Sequence, residues 1–180
     1  MVQCADASGM LWELYDWRME HINGSEEKLT YSVIGAFYEA YNTLGFGLSE
    51  HLFVMALEQE LVERGHKVAR EVGVDVWYKG RVLGHQRIDM IVDDILVVEA
   101  KATPILHRYA SYQLYNYLRA TTLEVGLLLH FGPQPQFHRL ICRNHKKNHP
   151  HHPFHSHHMF KPSAEHPVKA GQVVKSGDAT

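Results

Sequence analysis

Apolar positions recur along this chain with two different periods. From Leu29 to Leu44, Ile34, Phe37, Tyr38 and Tyr41 fall at i, i+3, i+4 and i+7, the spacing that puts side chains on one face of a helix. Gly45-Phe-Gly47 interrupts that pattern, and a second helix is expected over Ser49–Arg64 with Phe53, Val54, Leu57 and Leu61 as its stripe. Gly65 follows as a helix-ending residue. The period then shortens to two. His66–Tyr78 reads as a strand in which Val72, Val74 and Val76 alternate with polar residues, and Lys79-Gly80 reads as a hairpin turn. Arg81–Leu83 begins the return, with Gly84 and His85 interrupting it before an Ile88–Val92 strand. Ile95–Lys101 is a further strand. A helix is expected over about Leu106–Ala120, with Ala110, Leu114, Tyr117 and Leu118 facing inward. Glu124–Phe131 is apolar on both faces like an internal strand, and Phe137–Cys142 suits an edge strand.

The ends differ from this middle. Met10–Glu20 suits a short helix, with Leu11, Leu14, Tyr15 and Arg18 on one side, and Asn23-Gly24-Ser25 breaks it. Over Asn144–Phe160, histidines crowd among prolines and serines without a period (His145, His149, His151, His152, His155, His157 and His158). The expected organisation is an N-terminal extension at 1–28, a folded domain at 29–143, and a disordered histidine-rich tail at 144–180.

Two of the strands carry charge where apolar residues belong. Asp89 sits in the first run and Glu99 in the second, and Lys101 projects from the same strand face as Glu99. Buried charges are costly unless paired. Two carboxylates and a lysine on neighbouring strands suggest a divalent cation and a phosphate. Glu50 adds a third carboxylate, on the apolar stripe of the second helix, one turn before Phe53 and Val54. Each has an ordinary alternative. Asp89 could pair with Arg87 or Arg108, Glu99 and Lys101 could be a solvated strand end, and Glu50 could serve the dipole of its own helix.

The order Asp89, nine residues, Glu99, one residue, Lys101 resembles the PD-(D/E)XK nuclease superfamily. The flanking motifs are similar to those of its GxxExxY group. They are Leu44-Gly-Phe-Gly-Leu-Ser-Glu50, Glu63-Arg-Gly-His66, Tyr78-Lys-Gly80, Gln113-Leu-Tyr-Asn-Tyr-Leu118 and Gly126-Leu-Leu-Leu-His-Phe-Gly132, within about Leu29–Asn144. Two positions depart from the group: its signature tyrosine is Phe53 here, and Ile88 replaces the proline before the aspartate.

The resemblance implies an α/β, restriction-endonuclease-like fold, with a central mixed sheet flanked by helices. It also implies a metal-dependent nuclease acting on nucleic acid, DNA in the first instance. Asp89, Glu99 and Glu50 would hold Mg²⁺ or Mn²⁺, with the Ala100 carbonyl as a further ligand. Lys101 would orient the attacking water, and Gln113 would position the metal shell or a phosphate. With no separate recognition domain, sequence specificity would be low or supplied by a homodimer or a protein partner. A nuclease-fold binding or regulatory module without turnover is the alternative, and a metal-handling protein working through its histidine tail is a third reading.

Composition narrows these expectations only slightly. The chain has 180 residues, is 45% hydrophobic, and carries a net charge of −2, which does not advertise a nucleic-acid-binding face. Cys4 and Cys142 form no CxxC pair and are too few for a four-cysteine iron–sulfur cluster, so a reducing cytoplasm is expected. No apolar run is long enough to span a membrane, and the N-terminus lacks a signal-peptide pattern.

Overall fold

A computed structural model describes residues 24–146. Five strands form one sheet in the order β1-β2-β3-β4-β5. They are β1 (Val68–Tyr78), β2 (Arg81–Val92), β3 (Leu96–Lys101), β4 (Val125–His130) and β5 (Gln136–Ile141). β3 and β4 run parallel and every other neighbouring pair is antiparallel, so the sheet is mixed as expected. Helices α1 (Gly24–Leu44) and α2 (Glu50–Glu63) pack on one face, and α3 (Tyr109–Ala120) on the other.

Strand alternation divides the core between these layers. Met90, Val92, Leu96, Val98, Leu127 and Leu129 meet α1 and α2, whereas Ile91, Val97 and Leu128 meet α3. The inward stripe of α2 is the expected one, and Phe53, Val54, Leu57 and Leu61 are all buried. Phe53 stacks on Phe131 with ring centroids 4.3 Å apart. The stripe of α1 is turned from the expected one. Val33, Ala36, Phe37 and Ala40 are buried, while Ile34, Tyr38 and Tyr41 lie at the margin. Two alanines let this helix approach the sheet closely, and the larger flanking rings then cover its sides.

The connections are built from local hydrogen bonds. Gly65 has φ +87° and ends α2 with paired bonds, Gly65 N–H to Val62 O (2.9 Å) and His66 N–H to Leu61 O (3.0 Å). Lys79 and Gly80 both have positive φ, which makes the β1–β2 link a tight hairpin turn.

Three expectations need correction. Gly84 and His85 do not end β2, which runs on through them paired with Val76 and Asp75 of β1; the irregularity there is a register shift at Val76/Trp77 that leaves Leu83, next to Gly84, without a partner in the ladder. Gly24 and Ser25 are helical rather than a break, and Glu26 in that first turn is buried against Arg143. The third helix begins at Tyr109 rather than Leu106. The expected Met10–Glu20 helix and almost all of the 144–180 tail lie outside the described residues. Asn144–Lys146, the part of that tail that is described, forms a single 3₁₀ turn.

Candidate active site

The turn between β2 and β3 fixes which carboxylates can meet. Val92 pairs with Leu96, Ile91 with Val97 and Met90 with Val98, which leaves Asp93, Asp94 and Ile95 as a three-residue loop. Asp93 and Asp94 take positive φ (52° and 58°), which aspartate tolerates better than most residues. Asp93 holds this loop to the end of α2. Its carboxylate accepts the Lys67 N–H (2.8 Å) and contacts His66 Nδ1 (2.7 Å). One step further in the same register, Asp89 faces Glu99. A two-residue turn would have set Asp89 against Val98 and sent the two acids to opposite faces.

The ladder between β2 and β3 stops short of that step, and the strands fork there. Asp89 bridges the fork, with Oδ2 accepting the Ala100 N–H at 3.0 Å. On the other side of β2, pairing skips from Arg70/Met90 to Val72/Ile88. The skipped residue, Glu71, has φ +53°, an unusual conformation inside a strand. The aspartate is thus flanked by a broken ladder on both edges. Neither ordinary partner considered for it takes it: Arg87 pairs with Glu71 (3.6 Å), and Arg108 lies over the Tyr109 ring.

Glu99 is fully buried. Its Oε1 contacts Lys101 Nζ at 2.5 Å, and its Oε2 has no hydrogen-bond partner. Lys101 Nζ also lies 3.8 Å from Glu50 Oε1. Glu50 is the first residue of α2, where the partial positive charge of the helix start favours a carboxylate. The dipole role and the site role therefore coincide. α2 packs on the face opposite the one that strand alternation gives Lys101. The long lysine side chain at the strand end closes that gap.

The electrostatics follow from this crowding. Burial pushes the Glu99 carboxyl up to about 7, the Asp89 charge adds to it and Glu50 adds less, while Lys101 only partly offsets them. For Lys101, burial opposes the charged amine, but the hydrogen bond to Glu99 and the charges of Glu99, Glu50 and Asp89 outweigh it, so its pKa is raised. Three carboxylates thus share one ammonium, and a buried carboxylate oxygen is left without a donor. That arrangement calls for a further positive charge, and an all-oxygen donor set suits a hard divalent cation. Among the described residues, however, no three His, Cys, Asp or Glu side chains already form a group able to hold a metal ion. The amine of Lys101 stands between Glu50 and Glu99, so those two carboxylates converge on it, as the sequence led one to expect.

Gln113 reaches this centre indirectly. Its amide donates to the Tyr117 hydroxyl (2.8 Å), which donates to the Arg87 carbonyl (2.7 Å) and holds β2 two residues before Asp89. Burial raises the Tyr117 pKa, and the nearby Glu99 and Asp89 charges raise it further. Tyr117 is the site neighbour that sequence reasoning passed over as a core residue. The signal available was the four-residue spacing from Gln113 on one helix face. His85 and His107 stand apart: His85 pairs with Asp75 (2.6 Å), and His107 stacks on Tyr109.

The pattern of the PD-(D/E)XK nuclease superfamily matches residues 27–140. The chain belongs to the PD-(D/E)XK nuclease superfamily. This is a superfamily whose members are usually nucleases and typically use divalent metals such as Mg²⁺. Among solved structures, the crystal structure of SSO0001 is similar, with 21% identity and a TM-score of 0.44, covering 66% of this chain. The chain spans 60% of the length of that structure. Comparison with curated proteins gives no match. Among the described residues of this PD-(D/E)XK protein, no helix is long and apolar enough to cross a membrane.

Proposed function

We propose that this PD-(D/E)XK protein is a divalent-cation-dependent nuclease that hydrolyses phosphodiester bonds in DNA. The observation that carries the reading is the forked strand pair, where Asp89, Glu99 and Lys101 meet with one Glu99 oxygen unpartnered. Asp89, Glu99 and Glu50 are the proposed holders of Mg²⁺ or Mn²⁺. The Ala100 carbonyl is a further ligand candidate, because the N–H and C=O of one strand residue point to the same edge, here toward Asp89. Such an ion, when bound, supplies charge relief at the phosphorus and a more acidic water. Lys101 keeps its proton at neutral pH, so it serves as a fixed positive charge that orients water and stabilises the developing negative charge, not as a base. Glu50 holds that amine from the helix side. Gln113 and Tyr117 are positioning residues that keep β2, and so Asp89, at the fork.

Within the superfamily we place the chain in the GxxExxY group, on the order of its flanking motifs. With Phe53 at the signature position, that site contributes ring packing and no hydroxyl. The domain is proposed to take in the whole of α1, and so to span residues 24–143 rather than 29–143, to work in the cytoplasm, and to have low sequence specificity or to take it from a homodimer or a protein partner.

The test is cleavage of supercoiled plasmid and of labelled DNA and RNA oligonucleotides in Mg²⁺ or Mn²⁺, by wild type and Lys101→Ala in parallel. The expected result is metal-dependent cleavage of DNA that falls about 10²–10³-fold in the variant. Equal cleavage by both proteins, or cleavage that survives a chelator, overturns the proposal. Removal of residues 147–180 separates it from metal handling by the histidine tail, because the nuclease activity is expected to persist.

A further inference from the structure

The β1–β2 ribbon outruns the rest of the sheet. The β2–β3 ladder ends at Met90/Val98, but β1 and β2 stay paired from Val72/Ile88 to Tyr78/Arg81. β2 is antiparallel to β3, and when their register is continued past the fork Arg87 comes level with Lys101. The part of β2 before Arg87 therefore projects beyond the strand end that carries the proposed catalytic lysine. From Arg87 to Arg81 that is about 20 Å of two-stranded ribbon, standing beside the site.

One face of this ribbon is bare. Directly paired residues share a face. Val72, Val74 and Ile88 are buried in the cluster that includes α3, so Gly73/Arg87, Asp75/His85 and Trp77/Val82 point away from α3. All six are exposed. Toward the tip, Tyr78 and Leu83 are exposed as well, at 57% and 68%. The charge is one-sided. Between Gly73 and Arg87, Lys79, Arg81 and Arg87 stand against a single acid, Asp75, which His85 contacts at 2.6 Å. The whole chain, by contrast, has a net charge of −2. Lys79 keeps its place against its conformational preference. It and Gly80 form the turn with φ +47° and +78°, and Asn or Asp suits the first of those positions better than lysine.

We infer that the ribbon is a DNA-binding arm: it lies in the major groove of duplex DNA beside the cleaved phosphate, with Arg87 at one backbone and Lys79 and Arg81 at the other. The inference rests on the nuclease reading above and names its substrate as double-stranded. The major groove admits a two-stranded ribbon and is about 12 Å wide, so an arm of about 20 Å crosses it from backbone to backbone. Cations at the two ends of the arm meet phosphates there. The exposed Arg87–Glu71 pair (3.6 Å) is worth little in water and yields to a phosphate. Between the ends, Trp77, Val82 and Leu83 offer apolar surface to thymine methyl groups in the groove. A single strand gives the tip no second backbone, so the duplex is the form that uses both ends of the arm.

The experiment is fluorescence anisotropy with the full chain in Ca²⁺ over a series of salt concentrations. The probes are a dye-labelled blunt duplex and one of its single strands, with a denaturing gel to check that they stay intact. The arm variant is Lys79→Asn/Arg81→Thr, which gives the turn a favoured residue and the strand a β-former, so its melting temperature should not fall. The control, Lys28→Ser/Lys67→Ser, removes the same charge from α1 and from the start of β1. Each phosphate contact contributes about −0.9 to the slope of log affinity against log salt. The expected result is tighter binding of the duplex than of the single strand by wild type, with the duplex slope shallower by about 2 in the arm variant and unchanged in the control. An arm-variant slope equal to that of wild type, an equal change in the control, or a single strand bound as tightly as the duplex overturns the arm and leaves the nuclease reading standing. So does sedimentation that shows a wild-type dimer broken by Trp77→Ser/Leu83→Ser with the salt slope unchanged, because the bare face is then a contact between copies. Failure to bind either DNA overturns both.

Discussion

At the scale of single residues, the buried carboxylate of Glu99 governs the behaviour of the site. A rise from 4.5 to about 7 corresponds to about 3 kcal/mol between the two protonation states. Below pH 4.5 the group is protonated in the folded and the unfolded chain, and the fold carries no penalty from it. Between 4.5 and 7 the unfolded chain releases this proton while the folded protein keeps it, so stability is lost as the pH rises through that window. Urea unfolding in a chelator should show this loss in wild type but not in Glu99→Gln. A difference between the two that stays constant from pH 4.5 to 8 would show that Glu99 is not strained in this way. Tyr117 and Gln113 make a second case. Tyr117→Phe deletes the hydroxyl that holds the Arg87 carbonyl and should cost about 1 kcal/mol of stability. If Gln113 acts through Tyr117, Gln113→Ala and the double variant should lower cleavage by similar factors, and multiplicative losses would show that Gln113 acts on its own. Asp89, Glu99, Lys101 and Glu50 were legible in the sequence because each is charged where the surrounding pattern is apolar. Tyr117 was not, because a tyrosine on an apolar stripe reads as packing, and its ring does pack; only its hydroxyl emerges at the site.

Between elements, the decisive quantity is register, and sequence states it poorly. Asp93-Asp94 signals a turn without saying how many residues the turn takes, and one residue decides whether Asp89 faces Glu99 or Val98. The chemistry demanded the longer loop, and the structure has it. Helix identities were legible from period alone, whereas the rotation of α1 was not, since it depends on how closely Ala36 and Ala40 let the helix approach. Nothing in the sequence marked Glu71, whose positive φ opposite Asp89 breaks the β1–β2 ladder. A left-handed conformation costs an ordinary residue about 1–2 kcal/mol. Glu71→Gly should therefore be neutral or stabilising, and Glu71→Val destabilising by about 1–2 kcal/mol, because a β-branched side chain resists that conformation. Chemical denaturation of both variants checks this, and a Val variant as stable as wild type would mean that the strand relaxes without strain.

Over the whole molecule, two apolar clusters on opposite faces of one sheet hold three helices, and the site lies where the sheet forks between them. That plan could be read from the alternation of period along the chain. The limits of the domain could not, because they depend on one long-range ion pair. Arg143 Nη1 lies 3.1 Å from Glu26 Oε1 and 3.0 Å from Glu124 Oε2, joining the first turn of α1 to the chain leaving β5. Composition assigned Glu26 to an extension and Arg143 to the last position of the domain, with nothing to show that they meet across 117 positions. Glu26 is only 8% exposed, so loss of Arg143 would take a cation from a buried carboxylate. Removing one partner of a buried pair costs about 3–5 kcal/mol; Glu124 is more open to water, which puts Arg143→Ala toward the lower end. Cutting the chain after Lys146 keeps this clamp and removes most of the histidine-rich segment. The truncated protein should therefore unfold at the same urea concentration as the full chain, while Arg143→Ala in either length unfolds markedly earlier. If truncation alone destabilises the fold as much as Arg143→Ala does, the domain boundary lies beyond residue 146 and the segment after it belongs to the folded unit.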